Sequence, residues 1–280
     1  MIQEKIANPE LVVSERVRFE EMISNYDYSN DPHSVDFEVG VLIAFRSRHN
    51  VLKATVDMLC RQTLKPAVIL VASHKEDIDF AKDAFGKYEN VFLCLSQNYP
   101  LGGKWSDGVK YAQKFDLKGL AILGSDDFLS LNYLEYCNEL VKGGGVDAVG
   151  TKTWHVYETY DKKNELYKFN QIPSQPIPLG AGRFHSRRML DLLSWEIFER
   201  IFDYHLDSKG YFDTYAYGGN THQMIENDDT SVLSLKGDWL TLNPSENLKS
   251  SNKMKYEKIK NEEKYFKKHF NCNSNSFLIL

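Results

Sequence analysis

The sequence of 280 residues lacks the features that mark secreted, zinc-binding or membrane-spanning proteins. Its four cysteines are scattered, with no CxxC pair and no spacing typical of metal ligands, so they predict a reduced protein without a disulfide framework. No segment approaches the roughly 18 consecutive apolar residues that a membrane span needs, and residues 1–5 do not resemble a signal peptide. We therefore expect a cytoplasmic protein that is soluble or at most peripheral to a membrane.

The sequence also lacks a strong charge of either sign, an internal repeat and a low-complexity tract. Its formal net charge of -5 gives no global reason to expect a polyanionic partner, although local patches can still matter. Hydrophobic residues make up 42% and charged residues 26%, as in an ordinary globular protein. A chain of this length can bury one substantial core, so one large domain with appendages is expected.

The central part of the sequence alternates between apolar runs and amphipathic segments. This alternation is typical of a doubly wound α/β sheet, in which helices cover both faces of parallel strands. The predicted strands are residues 39–45, 67–72, 90–95 and 119–123, and the predicted helices are residues 50–62, 76–85, 106–115 and 132–141.

Composition divides the chain into four parts. Residues 1–36 are polar and acidic and predict a helical extension, whereas 37–150 carry the strand–helix alternation. Residues 151–245 are rich in aromatic residues, proline and glycine and predict irregular strands and long loops. Residues 246–280 are rich in lysine and predict a terminal helix over 250–269.

Polar residues follow the predicted strands at the points where they end. Arg46 and Arg48 follow the first strand, Ser73 follows the second, Gly102–Lys104 precede a helix, and Ser125–Asp127 follow the fourth strand. Right-handed crossovers bring such loops to one edge of the sheet, where ligands of α/β sheets bind. These loops are therefore the candidate site, although each charge taken alone is more often a solvated surface residue.

Residues 39–150 resemble the nucleotide-binding half of the family 2 glycosyltransferases, which have the GT-A fold. Val41–Arg48 resembles the family's first strand and its Pro-Thr-Tyr-Asn-Arg-like loop, and Gln62–Thr63 closes the next helix, as in the family. Residues 98–112 resemble its Asn/Gly-rich segment, and Gly124–Asp127 resembles its Asp-x-Asp-Asp metal motif. The resemblance implies a Rossmann-like mixed sheet flanked by helices, with helical extensions at both ends.

The sequence departs from the family at three points. Gly124 stands where the first aspartate of the metal motif usually is, and Ser73 stands where an acidic residue usually recognises the nucleoside. The QxxRW signature of processive synthases is missing, which implies a single transfer. The resemblance implies the following donor-nucleotide residues: Ala44, Phe45, Arg46, Arg48, Ser73, Gly103, Lys104 and Ser125.

The Ser125–Asp127 turn predicts a site for Mn²⁺ or Mg²⁺. Departure of a sugar's diphosphate builds negative charge, and these hard cations neutralise it while binding carboxylate and phosphate oxygens. The expected ligands are Asp126, Asp127 and, as a minor candidate, His222. The alternative is that the two aspartates only cap the next helix.

The second half contains the candidate acceptor-side residues. Gly182 and Arg183 lie in a segment that resembles the family's acceptor side, and Trp154 is a candidate for stacking on a sugar. Asp229, or else Asp228, resembles the family's catalytic base at the start of a helix predicted over 230–235. The alternative is that these carboxylates only stabilise a helix N-terminus.

These features predict an enzyme that transfers a sugar from a nucleoside-diphosphate sugar, with UDP-sugar favoured, to an acceptor hydroxyl, inverting by family resemblance. The acceptor is expected to be a glycan or a lipid-linked sugar, with a hydroxylated base in phage DNA as the minor alternative. The lysine-rich tail is either a solvated face or an attraction for such an anionic acceptor. A sugar-1-phosphate nucleotidyltransferase and a non-catalytic nucleotide- or sugar-binding module remain as alternatives.

Overall fold

The predicted strand–helix alternation is confirmed in the first half of the protein. In the computed structural model, parallel strands β1 to β4 lie in the order β4-β1-β2-β3, and every residue of β2 is buried because helices cover both faces. The strands are β1 (Val39–Ala44), β2 (Ala67–Ala72), β3 (Val91–Leu95) and β4 (Gly119–Ile122). The helices that alternate with them are α2 (His49–Leu59), α3 (Lys75–Phe85), α4 (Leu101–Ala112) and α5 (Tyr133–Lys142).

The N-terminal extension contributes helix α1 (Pro9–Ile23), whose first turn is capped by Asn8: the side-chain oxygen accepts from the Glu10 N–H at 2.9 Å. The structure describes residues 7–24, 36–159, 164–171, 178–203, 206, 222–225, 227, 229–237, 249–250 and 254–277.

Three further strands widen the first sheet and make it mixed. Strand β9 (Phe184–Ser186) lies antiparallel between β4 and β6 (Ala148–Thr151), and β10 (His222–Ile225) pairs in parallel with β6 at the edge. Helix α6 (Arg187–Leu192) follows β9 directly. This is the mixed sheet flanked by helices that the sequence predicts.

A second sheet begins at the turn after β4. Its strands are β5 (Asp127–Leu129), β7 (Thr153–Glu158), β8 (Glu165–Gln171), β11 (Val232–Lys236) and β12 (Met254–Lys258). They lie in the order β12-β8-β7-β11-β5, and β11 is antiparallel to β5 and parallel to β7. Helix α7 (Glu262–Phe270) covers this sheet with buried aromatic residues.

Two helices predicted in the second half are wrong. Residues 230–235 do not form a helix, because Val232–Lys236 is a fully buried strand that is hydrogen-bonded on both sides. The tail is not one helix over 250–269 either: Met254–Lys258 pairs with β8, and the helix begins only at Glu262. In both segments, pairing with a distant strand outweighs the local helical pattern.

Helix α4 begins five residues earlier than predicted. It starts at Leu101 rather than Ser106, so Gly102–Lys104 form its first turn instead of a preceding loop.

Across the described ranges, no helix combines the length and apolar character that a membrane crossing requires.

Candidate functional site

The predicted loops converge where β1, β2 and β4 end. Phe45 follows β1, and its carbonyl accepts a hydrogen bond from the Lys104 ammonium at 2.5 Å. Ser73 follows β2 and is buried, and the Phe45 N–H donates to the carbonyl of Val71 at 3.2 Å. Ala44, the last residue of β1, is half-buried beside them. This edge therefore carries the predicted donor-nucleotide residues.

Two buried hydroxyls at this edge have no hydrogen-bond partner within the part of the chain that the structure describes. They are Ser73 Oγ and Ser125 Oγ, and both belong to residues that are less than 3% exposed. A buried polar group without a partner costs about 1–3 kcal/mol, so such groups are usually satisfied by water or by a ligand. Both serines were predicted to bind the donor nucleotide.

Lys104 is held inside the protein. Besides Phe45 O, its ammonium donates to Asn98 Oδ1 at 3.2 Å. Burial lowers the pKa of Lys104 to about 7; the Arg46 charge acts in the same direction and the Asp77 charge opposes it. Its contacts join the start of α4 to the end of β1, whereas the Arg46 side chain is exposed.

The loop after β1 has a left-handed backbone conformation and brings the Arg48 side chain to Asp126. Ser47 and Arg48 both have left-handed conformations, with φ of 53° and 55°. Asp77, in the first turn of α3, holds this loop: its Oδ1 accepts from the Ser47 N–H at 2.8 Å and lies 2.8 Å from His49 Nε2. Strained residues of this kind cluster at functional sites. Asp77 is not among the residues predicted from the sequence, because its only signal there is that of an acidic residue following a strand.

Asp127 closes the turn after β4. Its Oδ2 accepts from the Gly124 N–H at 3.1 Å, and its Oδ1 accepts from the Ser234 hydroxyl. Burial raises the pKa of Asp127 to about 6, and the charge of Asp126 adds to the rise. A Cβ at Gly124 would lie 2.6 Å from Asp127 Oδ2, so the aspartate that the family usually has at this position would require the Asp127 side chain to shift.

Asp126 faces two cations. Its Oδ2 lies 2.9 Å from Lys236 Nζ and its Oδ1 lies 3.6 Å from Arg48 Nη1. The side chain of Lys236 is 8% exposed and that of Asp126 is 13% exposed. Burial alone would lower the pKa of Lys236, but the charges of Asp126 and Asp127 outweigh it and raise the pKa. Lys236 was also missed, because its position emerges only when 232–236 is a strand.

Trp154 lies beside these groups. Its indole N–H donates to Ser234 Oγ at 2.6 Å, and Lys236 Nζ is 5.6 Å from the centroid of its ring. We call Arg48, Asp126, Asp127, Ser234 and Lys236 the Asp126 cluster; Trp154, predicted on the acceptor side, borders it.

The three predicted metal ligands lie in two different parts of the fold. Both oxygens of Asp127 are bonded within the protein, and Asp126 already forms ion pairs with two cations. His222 lies on β10, at the edge of the other sheet. Among the described residues, no cluster of three or more His, Cys, Asp or Glu side chains is arranged to hold a metal ion. The set of Asp126, Asp127 and His222 is therefore not brought together.

Gly182 and Arg183 pack beside β4 rather than projecting into open space. Gly182 has φ of +73° and donates its N–H to Ile122 O, while Tyr133 OH donates to its carbonyl at 2.9 Å. The Arg183 side chain is buried and donates to Pro178 O at 2.7 Å. Their described contacts support the fold of this edge, and an acceptor role for them stays a prediction.

Asp229, the first candidate for the base, is not at the Asp126 cluster. Asp229 lies before β11, and its 75% exposed side chain pairs with Lys268 at 3.0 Å. The Asp126 carbonyl accepts from Leu235 N–H near the other end of β11. Ser231 to Leu235 alone spans about 13 Å of strand. Asn227 caps this bend, accepting from the N–H groups of Asp229 and Thr230, and no helix follows. Asp228 lies outside the described residues.

Comparison with known proteins shows the fold and does not name a family. No protein-family model matches the chain, and no curated protein matches it. Many solved structures match, among them S. aureus TarS 1-349 in complex with UDP, with a TM-score of 0.51 and 10% sequence identity. The match covers 71% of this chain and 60% of the TarS chain. The chain thus has a mixed α/β fold similar to the fold of the TarS structure.

Proposed function

We propose that this protein is a glycosyltransferase that uses a nucleoside-diphosphate sugar, with UDP-sugar favoured. The observation that carries the proposal is the convergence of two unpartnered buried hydroxyls, Ser73 and Ser125, with the cations Arg46 and Arg48 at one edge of a sheet. Ligands of such sheets bind at this edge. A fold similar to that of a protein solved with UDP adds support.

In the proposed reaction, an acceptor hydroxyl oxygen attacks the anomeric carbon of the donor sugar. The bond from that carbon to the diphosphate breaks, its electron pair goes to the departing phosphate oxygen, and a base takes the hydroxyl proton. The hydroxyls of Ser73 and Ser125 would form hydrogen bonds with the nucleotide, either as donors or as acceptors. Arg46 and Arg48 would contact the phosphates, since guanidinium groups match phosphate oxygens with two donors.

The finer assignments remain proposals from the sequence. They are membership of family 2, an inverting outcome, and an acceptor that is a glycan or a lipid-linked sugar, with a hydroxylated DNA base as the minor alternative. The base assignment to Asp228 likewise stays a prediction, whereas the exposed side chain of Asp229, paired with Lys268, favours a base other than Asp229. Trp154, at the border of the Asp126 cluster, is the proposed platform for a sugar ring.

The test is incubation with a panel of UDP-, GDP- and dTDP-sugars and candidate acceptors, followed by identification of the phosphorylated product. A glycosyltransferase releases the nucleoside diphosphate. A sugar-1-phosphate nucleotidyltransferase, given pyrophosphate, instead yields a nucleoside triphosphate, and a binding module leaves every donor intact. Either of the last two outcomes would overturn the proposed function.

A further inference from the structure

We propose that Lys236 and Arg48 form a metal-independent binding site for the diphosphate of the donor. This inference rests on the proposed function and names the groups that would receive the diphosphate charge. Strand β11, which is distant in sequence, brings Lys236 to the turn after β4. The strained loop after β1 brings Arg48 to the same turn.

The first support is the charge arrangement around Asp126. Lys236 Nζ lies 2.9 Å from Asp126 Oδ2, and Arg48 Nη1 lies 3.6 Å from Asp126 Oδ1. Together the two side chains carry the same double positive charge that a divalent metal ion would bring. A divalent ion at Asp126 would have to displace Lys236 or sit against two cations, which the Coulomb energy strongly disfavours at this degree of burial.

The second support is that Lys236 is fixed before any ligand arrives. The Leu235 N–H donates to Asp126 O at 2.9 Å, and Ser234 is hydrogen-bonded both to Asp127 and to the Trp154 indole. These hydrogen bonds fix the position of β11 relative to the turn after β4. Preorganised charges in a water-poor site stabilise a developing anion without the cost of reorienting solvent.

The third support is the role that remains for the carboxylates. Asp126 positions the two cations, since each of its oxygens lies within ion-pair distance of one of them. Both carboxylate oxygens of Asp127 already accept hydrogen bonds that close the turn, from the Gly124 N–H and the Ser234 hydroxyl. The two aspartates therefore act as positioning residues, and the diphosphate contacts Lys236 and Arg48.

The experiment is calorimetric titration with UDP, and with GDP and dTDP in parallel, in EDTA and in Mn²⁺. We expect the wild-type protein to bind its preferred diphosphate equally well in both. Lys236→Met should weaken binding in EDTA by about 10- to 100-fold, the loss expected for a hydrogen bond to a charged group. Lys236→Arg, which keeps the charge, should restore most of the affinity.

The matched control is Lys258→Met. Lys258 is also an ion-paired lysine of the second sheet, 2.6 Å from Glu165, but it lies on the outer strand β12 and should bind like wild type. Thermal unfolding of each variant checks that it is folded. Should Lys236→Met fail to fold, the comparison of EDTA with Mn²⁺ in the wild type decides the matter without a variant.

The outcomes separate the two proposals. Binding or turnover that requires Mn²⁺ in the wild type would overturn the metal-independent site and leave the glycosyltransferase proposal standing. Unchanged affinity of folded Lys236→Met in EDTA would overturn it as well. If no nucleoside diphosphate binds in either condition, the proposed function fails and the inference fails with it.

Discussion

Asp126 and Asp127 are neighbours in the sequence but have different surroundings. Asp127 is a buried acceptor for two protein donors, whereas Asp126 faces two cations. A pair of aspartates at a strand end indicates a ligand site, but the sequence cannot show which carboxylate the turn itself consumes. That depends on Ser234, which lies 107 residues away along the chain.

We expect Asp127→Ala to lower the free energy of unfolding by about 1–3 kcal/mol, because the Gly124 N–H and the Ser234 hydroxyl lose their acceptor. Asp127→Asn should lose less, since its amide oxygen can still accept from Gly124. Urea unfolding of the three proteins at neutral pH measures this. An alanine variant as stable as wild type would show that Asp127 does not close the turn.

Lys104 makes stability depend on pH. Its pKa is lowered to about 7 in the folded protein, whereas the unfolded chain keeps the proton up to its ordinary value of 10.5. Above about pH 7 the unfolded state therefore binds more protons, and this group's contribution to stability rises with pH. Relative to Lys104→Met, the wild type should gain roughly 2 kcal/mol between about pH 7 and pH 9. Urea unfolding at the two pH values measures this. The prediction is contradicted if the free energies of unfolding of the wild type and Lys104→Met differ by the same amount at both pH values.

At the scale of elements, the first turn of α4 is packed against residues 199–202. A Cβ at Gly102 would lie 2.1 Å from Glu199 O, whereas a Cβ at Gly103 would meet nothing closer than 3.6 Å. Of these two glycines, Gly103 is the one that the sequence predicts to bind the donor nucleotide. The structure shows that Gly102 admits the protein's own backbone.

Gly102→Ala and Gly103→Ala therefore form a matched pair. We expect Gly102→Ala to lower the melting temperature clearly, because the clash is with backbone that cannot rotate away. Gly103→Ala should be neutral or stabilising by up to about 1 kcal/mol, since alanine favours a helix over glycine. Equal melting temperatures for the two variants would contradict the packing described here.

The two ends of β11 carry different groups. Lys236 is at the Asp126 cluster, and Asp229 precedes the opposite end with an exposed side chain. We therefore expect Asp229→Asn to transfer sugar at close to the wild-type rate, and its surface pair with Lys268 to contribute about 0–1 kcal/mol. A loss of the roughly 10²–10⁴-fold that general base catalysis supplies would restore Asp229 as the base.

The strands of the first half could be predicted from the sequence because each is a continuous apolar run followed by an amphipathic helix. Strands β11 and β12 could not, because five-residue segments with mixed polarity fit either state and their partners are distant in sequence. The Ser234–Asp127 register, for example, joins residues more than a hundred positions apart. Lys236 escaped notice for the same reason.

At the scale of the whole molecule, the two sheets meet at the turn after β4. The first sheet supplies Ser73, Arg48 and the turn, and the second supplies Lys236 and Trp154. Neither half of the chain contains all of these groups. The proposed donor site therefore draws on both halves, whereas the sequence predicts a donor half over 37–150 and an acceptor half over 151–245.

The most direct test of the central claim is a crystal structure of the protein with the nucleoside diphosphate that binds it most tightly. We expect the nucleoside beside Ser73 at the end of β2 and the diphosphate oxygens within hydrogen-bond distance of Arg48 and Lys236. A nucleotide bound elsewhere on the protein, with this edge of the sheet empty, would contradict it.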